Sequence, residues 1–139
     1  MRPIKFRAFH KELKVMREVL NLNIAFNEVR VADYHDNVWF EDTFELMQFT
    51  GLHDKNDNPI FEGDIVRYFI PIPHIPRSSF KDGHIVKFKR GRFGILPIHP
   101  HYLHPDDRKF QSLFTIRKEY LEIEGNIHEN GELLCDQNQ

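Results

Sequence analysis

Six consecutive residues, Asp54-Lys55-Asn56-Asp57-Asn58-Pro59, constrain this chain more than any other stretch. Short Asx side chains bond their own local backbone, and proline fixes φ while removing a donor. The stretch is therefore a turn, and no helix or strand runs through it. Apolar segments stand on both sides, Leu46 to Leu52 before it and Ile60-Phe61 after it, which is the pattern of a hairpin connection. Glu62-Gly63-Asp64 forms a second tight corner before Ile65-Val66-Arg67-Tyr68-Phe69-Ile70. Reversals this close together leave room only for short strands. Asp42 followed by Glu45 has capping-box spacing, which would start a helix over Phe44–Thr50. Gly51 comes too soon for that helix to be stable, so the stretch is assigned as a strand.

The rest of the chain carries the same punctuation. Ile4-Lys5-Phe6-Arg7-Ala8 alternates apolar and basic residues, as a half-buried strand does. Leu13, Met16 and Leu20 keep helical spacing, while Val15, Met16 and Val19 suit a strand equally well. Residues 21–43 are the hardest to read: an apolar stretch around Ile24-Ala25-Phe26, then a loop-like acidic run from Asp33 to Asn37. Gly83–Phe88, the Arg90-Gly91 turn and Arg92–Ile98 form a hairpin. Leu121, Ile123 and Ile127 alternate with Glu122, Glu124 and His128, and Gly125 marks a bulge in that strand. Pro71, Pro73 and Pro76 break the chain between the hairpins, and Pro97, Pro100 and Pro105 bound a later loop. The predicted fold class is mainly β, a β-rich α+β fold.

At 139 residues, the chain is long enough for one domain, or one with an appendage, to bury a core without staples. Cys135 is the single cysteine, so no internal disulfide forms and a reducing compartment is expected. No apolar run reaches signal-peptide or membrane-span length, so the expected location is the cytoplasm. The net charge of −2 gives no global attraction to nucleic acid or anionic membrane. Charge is nevertheless unevenly placed. Residues 28–64 hold ten acids against two bases, and residues 65–92 hold seven bases against Asp82. Blocks of opposite sign can pair within one chain or between copies. Thirteen phenylalanines exceed what a core of this size needs, and the surplus suits an interface.

Four segments resemble the YopX family, small proteins of bacteriophages and prophages. They are Lys5-Phe6-Arg7-Ala8-Phe9; Leu46–Leu52 with Asp54-Lys55-Asn56 and Ile60-Phe61-Glu62-Gly63-Asp64-Ile65-Val66; Gly83-His84-Ile85-Val86-Lys87-Phe88; and Glu124-Gly125-Asn126-Ile127-His128-Glu129-Asn130 with Leu133-Leu134. They stand in family order along nearly the full length. The chain departs from the family pattern at several points. The family usually has Trp-Asp at Phe9-His10, glycine at Asp57, tyrosine at Phe61 and His128, and proline at Gly131. The resemblance implies an N-terminal β-hairpin unit with a variable segment over 1–45 and an SH3-like small barrel over 46–134. It also implies an insertion at 71–82, with a tail at 135–139. It implies no activity.

Three constellations bear on chemistry. His99, His101 and His104 with Asp106, in the loop 99–107, have the donor types of a zinc or nickel site, as in a metal-dependent enzyme. The prolines beside them favour a solvated loop. Lys87, Lys89, Arg90 and Arg92 interleave with Phe88 and Phe93, as candidate nucleic-acid contacts would. The plainer expectation is that both rings face the core while solvated bases protect an edge strand. Glu62, Asp64, Glu122 and Glu124 are read as solvated. Asn56 and Asn126-Ile127-His128 are read as turn and bulge formers.

No nucleophile elbow, phosphate-binding glycine loop, HExxH or CxxC is present. Ser78-Ser79 and Ser112 lack a His–acid arrangement at recognised spacing. The leading expectation is a non-enzymatic phage or prophage accessory protein with no cofactor. It would bind protein, either a homo-oligomer or a host protein. A nucleic-acid-binding barrel using residues 87–92 is the alternative, and the histidine-loop metalloenzyme the third. No membrane partner and no small-molecule substrate is expected.

Overall fold

A computed structural model describes residues 3–34, 37–68, 83–98 and 110–131. The chain divides into two compact units, Met1–Phe49 and Thr50–Gln139. Both are built from antiparallel strands, as the mainly β reading expects. Among the described residues, no helix is long and apolar enough to cross a membrane. The Pro-rich insertion 71–82, the histidine loop 99–107, Ser78-Ser79 and Cys135 lie outside the described residues.

The first unit holds β1 (Phe6–His10), β2 (Val15–Asn23), β3 (Glu28–Val31), β4 (Trp39–Phe40) and the start of β5 (Phe44–His53). β1 lies between β2 and β5, with Ala8 opposite both Arg17 and Leu46. Ala8, Val29, Val31 and Phe44 form the buried core, with Val19, Leu22, Tyr34, Trp39 and Leu46 packed on it. Leu20 is the extra residue of a bulge, since Val19 pairs with Val31 and Asn21 with Arg30. That bulge turns Leu20 outward, 55% exposed. The apparent helical spacing of Leu13, Met16 and Leu20 is thus a turn at Leu13 followed by a strand with one inserted residue.

His10 shapes the first turn. It is 4% exposed, and its Nδ1 accepts the N–H of Glu12 at 3.2 Å and of Leu13 at 2.9 Å. The imidazole proton therefore sits on Nε2. Lys14, at φ +58°, closes the turn on the His10 carbonyl at 2.8 Å. A carboxylate oxygen at position 10 can accept the same two N–H groups, which accounts for histidine where the resemblance implies aspartate. The ring stands edge-on to Trp39 and Phe44, with centroids 4.9 and 5.1 Å away. His10 Nε2 and Trp39 Nε1 are buried without a hydrogen-bond acceptor. Perpendicular ring faces are what offsets such N–H groups.

The second unit holds the end of β5, β6 (Pro59–Phe61), β7 (Asp64–Tyr68), β8 (Gly83–Lys89), β9 (Arg92–Pro97), β10 (Gln111–Ser112) and β11 (Leu121–Asn126). Its five-stranded sheet runs β10-β9-β8-β7-β11. Four strands meander, then a short 3-10 turn at Lys118–Tyr120 returns the chain to the first of them. That order is SH3-like, and no ladder closes β10 onto β11 among the described residues. Ile60, Val66, Val86, Phe93, Ile95, Leu113 and Leu121 form the buried core.

Asp54 ties the turn to the last strand. It is fully buried. Its Oδ1 accepts the N–H of Asn56 at 2.9 Å and Asn58 at 3.0 Å, and its Oδ2 accepts that of Ile123 at 3.0 Å. Lys55 N–H donates to the Leu121 carbonyl at 2.9 Å, and Lys55 Nζ lies 2.9 Å from Glu122. Asp57 adopts φ +63°, which explains the glycine that the family prefers there. The bulge falls between Ile123 and Gly125. A Cβ on Gly125 would meet the Asn130 amide oxygen at 2.4 Å. That amide accepts the Asn126 N–H, while Asn126 Oδ1 accepts those of His128 and Glu129. The asparagines are thus turn formers, as read from the sequence.

Two outcomes follow in urea denaturation. Asp54→Ala leaves the N–H groups of Asn56, Asn58 and Ile123 without their acceptor and is expected to lower stability by about 3 kcal/mol. Burial resists the Asp54 charge, yet the N–H groups of Ile123, Asn58 and Asn56 outweigh it and hold its pKa below the usual 3.8. Its contribution is therefore full above 3.8 and is lost as pH falls through the lower folded value. The wild type should lose stability faster than Asp54→Ala over that acid range. In the first unit, His10→Asp should retain most of the wild-type stability, whereas His10→Ala should lose about 2 kcal/mol.

Candidate functional site

Loss of regular alternation after Asn23 leaves apolar side chains outside the first core. Seven of the nine exposed large apolar side chains among the described residues belong to this unit. Ile24 is 80% exposed, Phe26 68% and Phe40 67%. The pairing of Glu28 with Phe40 brings Phe40 beside the turn that carries Ile24 and Phe26. A cleft of about 660 Å³ opens here. Phe40, Phe44 and Leu46 supply its apolar lining, and Lys11, Asp42 and Glu45 its charges. Asp42 comes from the short 3-10 turn Glu41–Thr43, and Glu45 from the outward face of β5. Lys11 Nζ lies 3.8 Å from Glu45, with both side chains about half exposed, so the pair is weakly coupled.

The second surface is the β8–β9 hairpin. Its register sets Lys87 opposite Gly94, Phe88 opposite Phe93, and Lys89 opposite Arg92. Strand alternation puts Lys87, Lys89 and Arg92 on one face and both phenylalanines on the other. Arg90 occupies the corner at φ +52°. Arg92 stacks over Phe110 at 5.4 Å, and Phe110 fills the space above Gly94, where a Cβ would meet the ring at 2.3 Å.

One expectation is corrected here. Phe93 is buried, but Phe88 is 52% exposed and meets Phe93 edge-on at 5.0 Å, because the strands run on past the core. The β7–β8 ladder ends at Ile85 and the β10–β9 ladder at Gly94, so residues 87–92 run on as a two-stranded hairpin past both neighbouring strands.

The carboxylates do not converge on a reaction centre. Asp64 is 2% exposed rather than solvated, because its Oδ2 accepts the Phe61 N–H at 2.8 Å and so closes the Gly63 corner. Glu122 pairs with Lys55, and Glu124 with Arg67 at 2.7 Å. Asp57 is held below the usual carboxylate range by the hydrogen-bonded Lys118 ammonium, whose own pKa is raised in return. Among the described residues, no three His, Cys, Asp or Glu side chains are grouped to hold a metal. His99, His101, His104 and Asp106 lie outside those residues.

The family described as YopX protein matches residues 5–135, nearly the whole chain. The chain belongs to the YopX family. Its fold is similar to the crystal structure of protein EF1440 from Enterococcus faecalis, at 30% identity and a TM-score of 0.58. That match covers 96% of this chain and 99% of the other. No curated protein matches.

For this YopX chain, the family motifs overlap the candidate surfaces only at Leu46, Lys87 and Phe88. The motifs carry the Asp54 turn, the Gly63 corner and the Gly125 bulge. The cleft takes Asn27, Phe40 and Asp42 from the stretch 21–43, where no spacing signalled a surface. The available signal was Trp39-Phe40 and Ile24-Ala25-Phe26, apolar pairs that break strand alternation and leave one side chain outward.

Gly94→Ala should lower stability by about 2 kcal/mol in urea denaturation, since Phe110 and the Gln111 carbonyl leave its Cβ no room. Gly91→Ala, in open space at φ +78°, should lower it by less.

Proposed function

We propose that this protein acts by binding another protein, without catalysis, as an accessory factor of a phage or prophage in the host cytoplasm. The observation that supports this reading is the exposed apolar group Ile24, Phe26 and Phe40 beside the cleft of the first unit. Soluble monomers rarely leave large apolar side chains grouped, and such groups mark interaction sites. Aromatic anchors with a charged surround are the usual make-up of a protein interface. The apolar lining meets acid at Asp42 and Glu45, which suits a partner segment that is both apolar and basic.

A second reading is favoured by one observation, the shared face of Lys87, Lys89 and Arg92. Cations in a row track phosphates, so this hairpin would bind nucleic acid through its backbone. Retention of a DNA or RNA fragment at low salt, lost in Lys89→Glu with Arg92→Glu, supports that reading. Absence of retention at low salt removes it.

Phe26→Ser with Phe40→Ser separates binding from folding. Both side chains are largely exposed, so stability should change by no more than about 0.5 kcal/mol per site. Association, read as solution mass by light scattering and as cross-linking to host proteins, should fall sharply. Unchanged association in both measurements would remove the first unit as the binding surface.

A further inference from the structure

We infer that the cleft of the first unit receives the β8–β9 hairpin tip of a second copy of this chain, so that copies associate head to tail. This rests on the protein-binding reading and names the occupant of that surface.

The two surfaces are complementary in chemistry. The cleft offers apolar Phe40, Phe44 and Leu46 with carboxylates at Asp42 and Glu45 against the single cation Lys11, which is only weakly coupled to Glu45. The hairpin offers the converse: Lys87, Lys89, Arg90 and Arg92 with no acid among residues 87–92, and a half-exposed phenyl ring at Phe88. The sequence around the cleft extends the match, with six acids against one base over 28–45. Complementary potentials of this kind fix register and speed encounter. A net charge of −2 leaves little repulsion between copies.

The observations favour a second copy over nucleic acid as the ligand of the hairpin. Phe88 projects from the face opposite Lys87, Lys89 and Arg92, so it does not stack on bases whose phosphates those cations hold. Phe110, on the cationic side, is already covered by Arg92. A hairpin tip entering a cleft uses both faces and the Arg90 corner together. The contact joins two different surfaces, so it is heterologous, and each copy keeps one of each to offer onward. A contact this small is weak, with association expected at micromolar concentrations or above.

Charge reversal tests it with the full chain. Asp42→Lys with Glu45→Lys makes cleft and hairpin both basic, and Lys87→Glu with Lys89→Glu and Arg92→Glu leaves three acids against Arg90 on the hairpin, so that both are acidic. Sedimentation equilibrium over a concentration series reads the mass. Each variant alone should associate at least tenfold more weakly than the wild type. Mixing the two should restore association, and so should the chain carrying all five changes, because cleft and hairpin are then opposite in sign. Misfolded variants cannot produce that rescue. Failure of the mixture and of the five-change chain to associate overturns the inference. Association that survives hairpin reversal but is lost in Phe26→Ser with Phe40→Ser overturns it while leaving the protein-binding reading in place. A wild-type chain that is monomeric throughout, yet retains DNA through Lys89 and Arg92, overturns it in favour of the nucleic-acid reading.

Discussion

The Asp54 carboxylate is the interaction on which the second unit depends. A turn dense in aspartate and asparagine has many ways to bond itself. Burying one of those carboxylates and giving one of its oxygens to the Ile123 N–H selects a single way. The turn between β5 and β6 is thereby tied to β11, the strand that returns to β7. Lys55 reinforces the junction from both its backbone and its ammonium. Charge inside the fold is tolerated because three N–H groups meet it, and such hydrogen bonds to a charged group are the strong ones.

The first unit uses neutral groups for a comparable task. His10 places its Nδ1 over two N–H groups and its ring against Trp39 and Phe44. One side chain therefore sets the β1–β2 turn and an aromatic wall of the core. The same unit leaves Ile24, Phe26 and Phe40 outside that core. Rigid turns with exposed apolar side chains nearby are what a binding surface needs, because little ordering entropy remains to be lost on contact.

The Asp54–Pro59 turn, the Gly63 corner, the Arg90-Gly91 hairpin and the bulge at Gly125 were all legible in the sequence, because each is set by local backbone chemistry. The SH3-like order followed from the family resemblance. The stretch from Val15 to Thr43 was not legible, for a physical reason. A bulge at Leu20 shifts the alternation of β2, and β4 is only Trp39-Phe40, too short to show a period. Burial at Asp54 and Asp64 was also invisible. A carboxylate taken up by distant N–H groups looks the same in sequence as one left in water. Phe88 was misread because alternation gives the face a ring occupies but not how far the core extends beneath it.

The two surfaces arise from opposite departures from strand alternation. In the first unit, short strands leave aromatic rings outside. In the hairpin, long strands carry cations and a ring beyond the barrel core. Zero-length carbodiimide cross-linking of a mixture of ordinary and nitrogen-15-labelled chains tests their meeting most directly. The account expects peptides containing Lys87 or Lys89 joined to peptides containing Asp42 or Glu45, with mixed light–heavy pairs as abundant as the two single-isotope kinds together in an equal mixture. Cross-links that join these residues only within one isotope, or none between them at concentrations where copies associate, would contradict it.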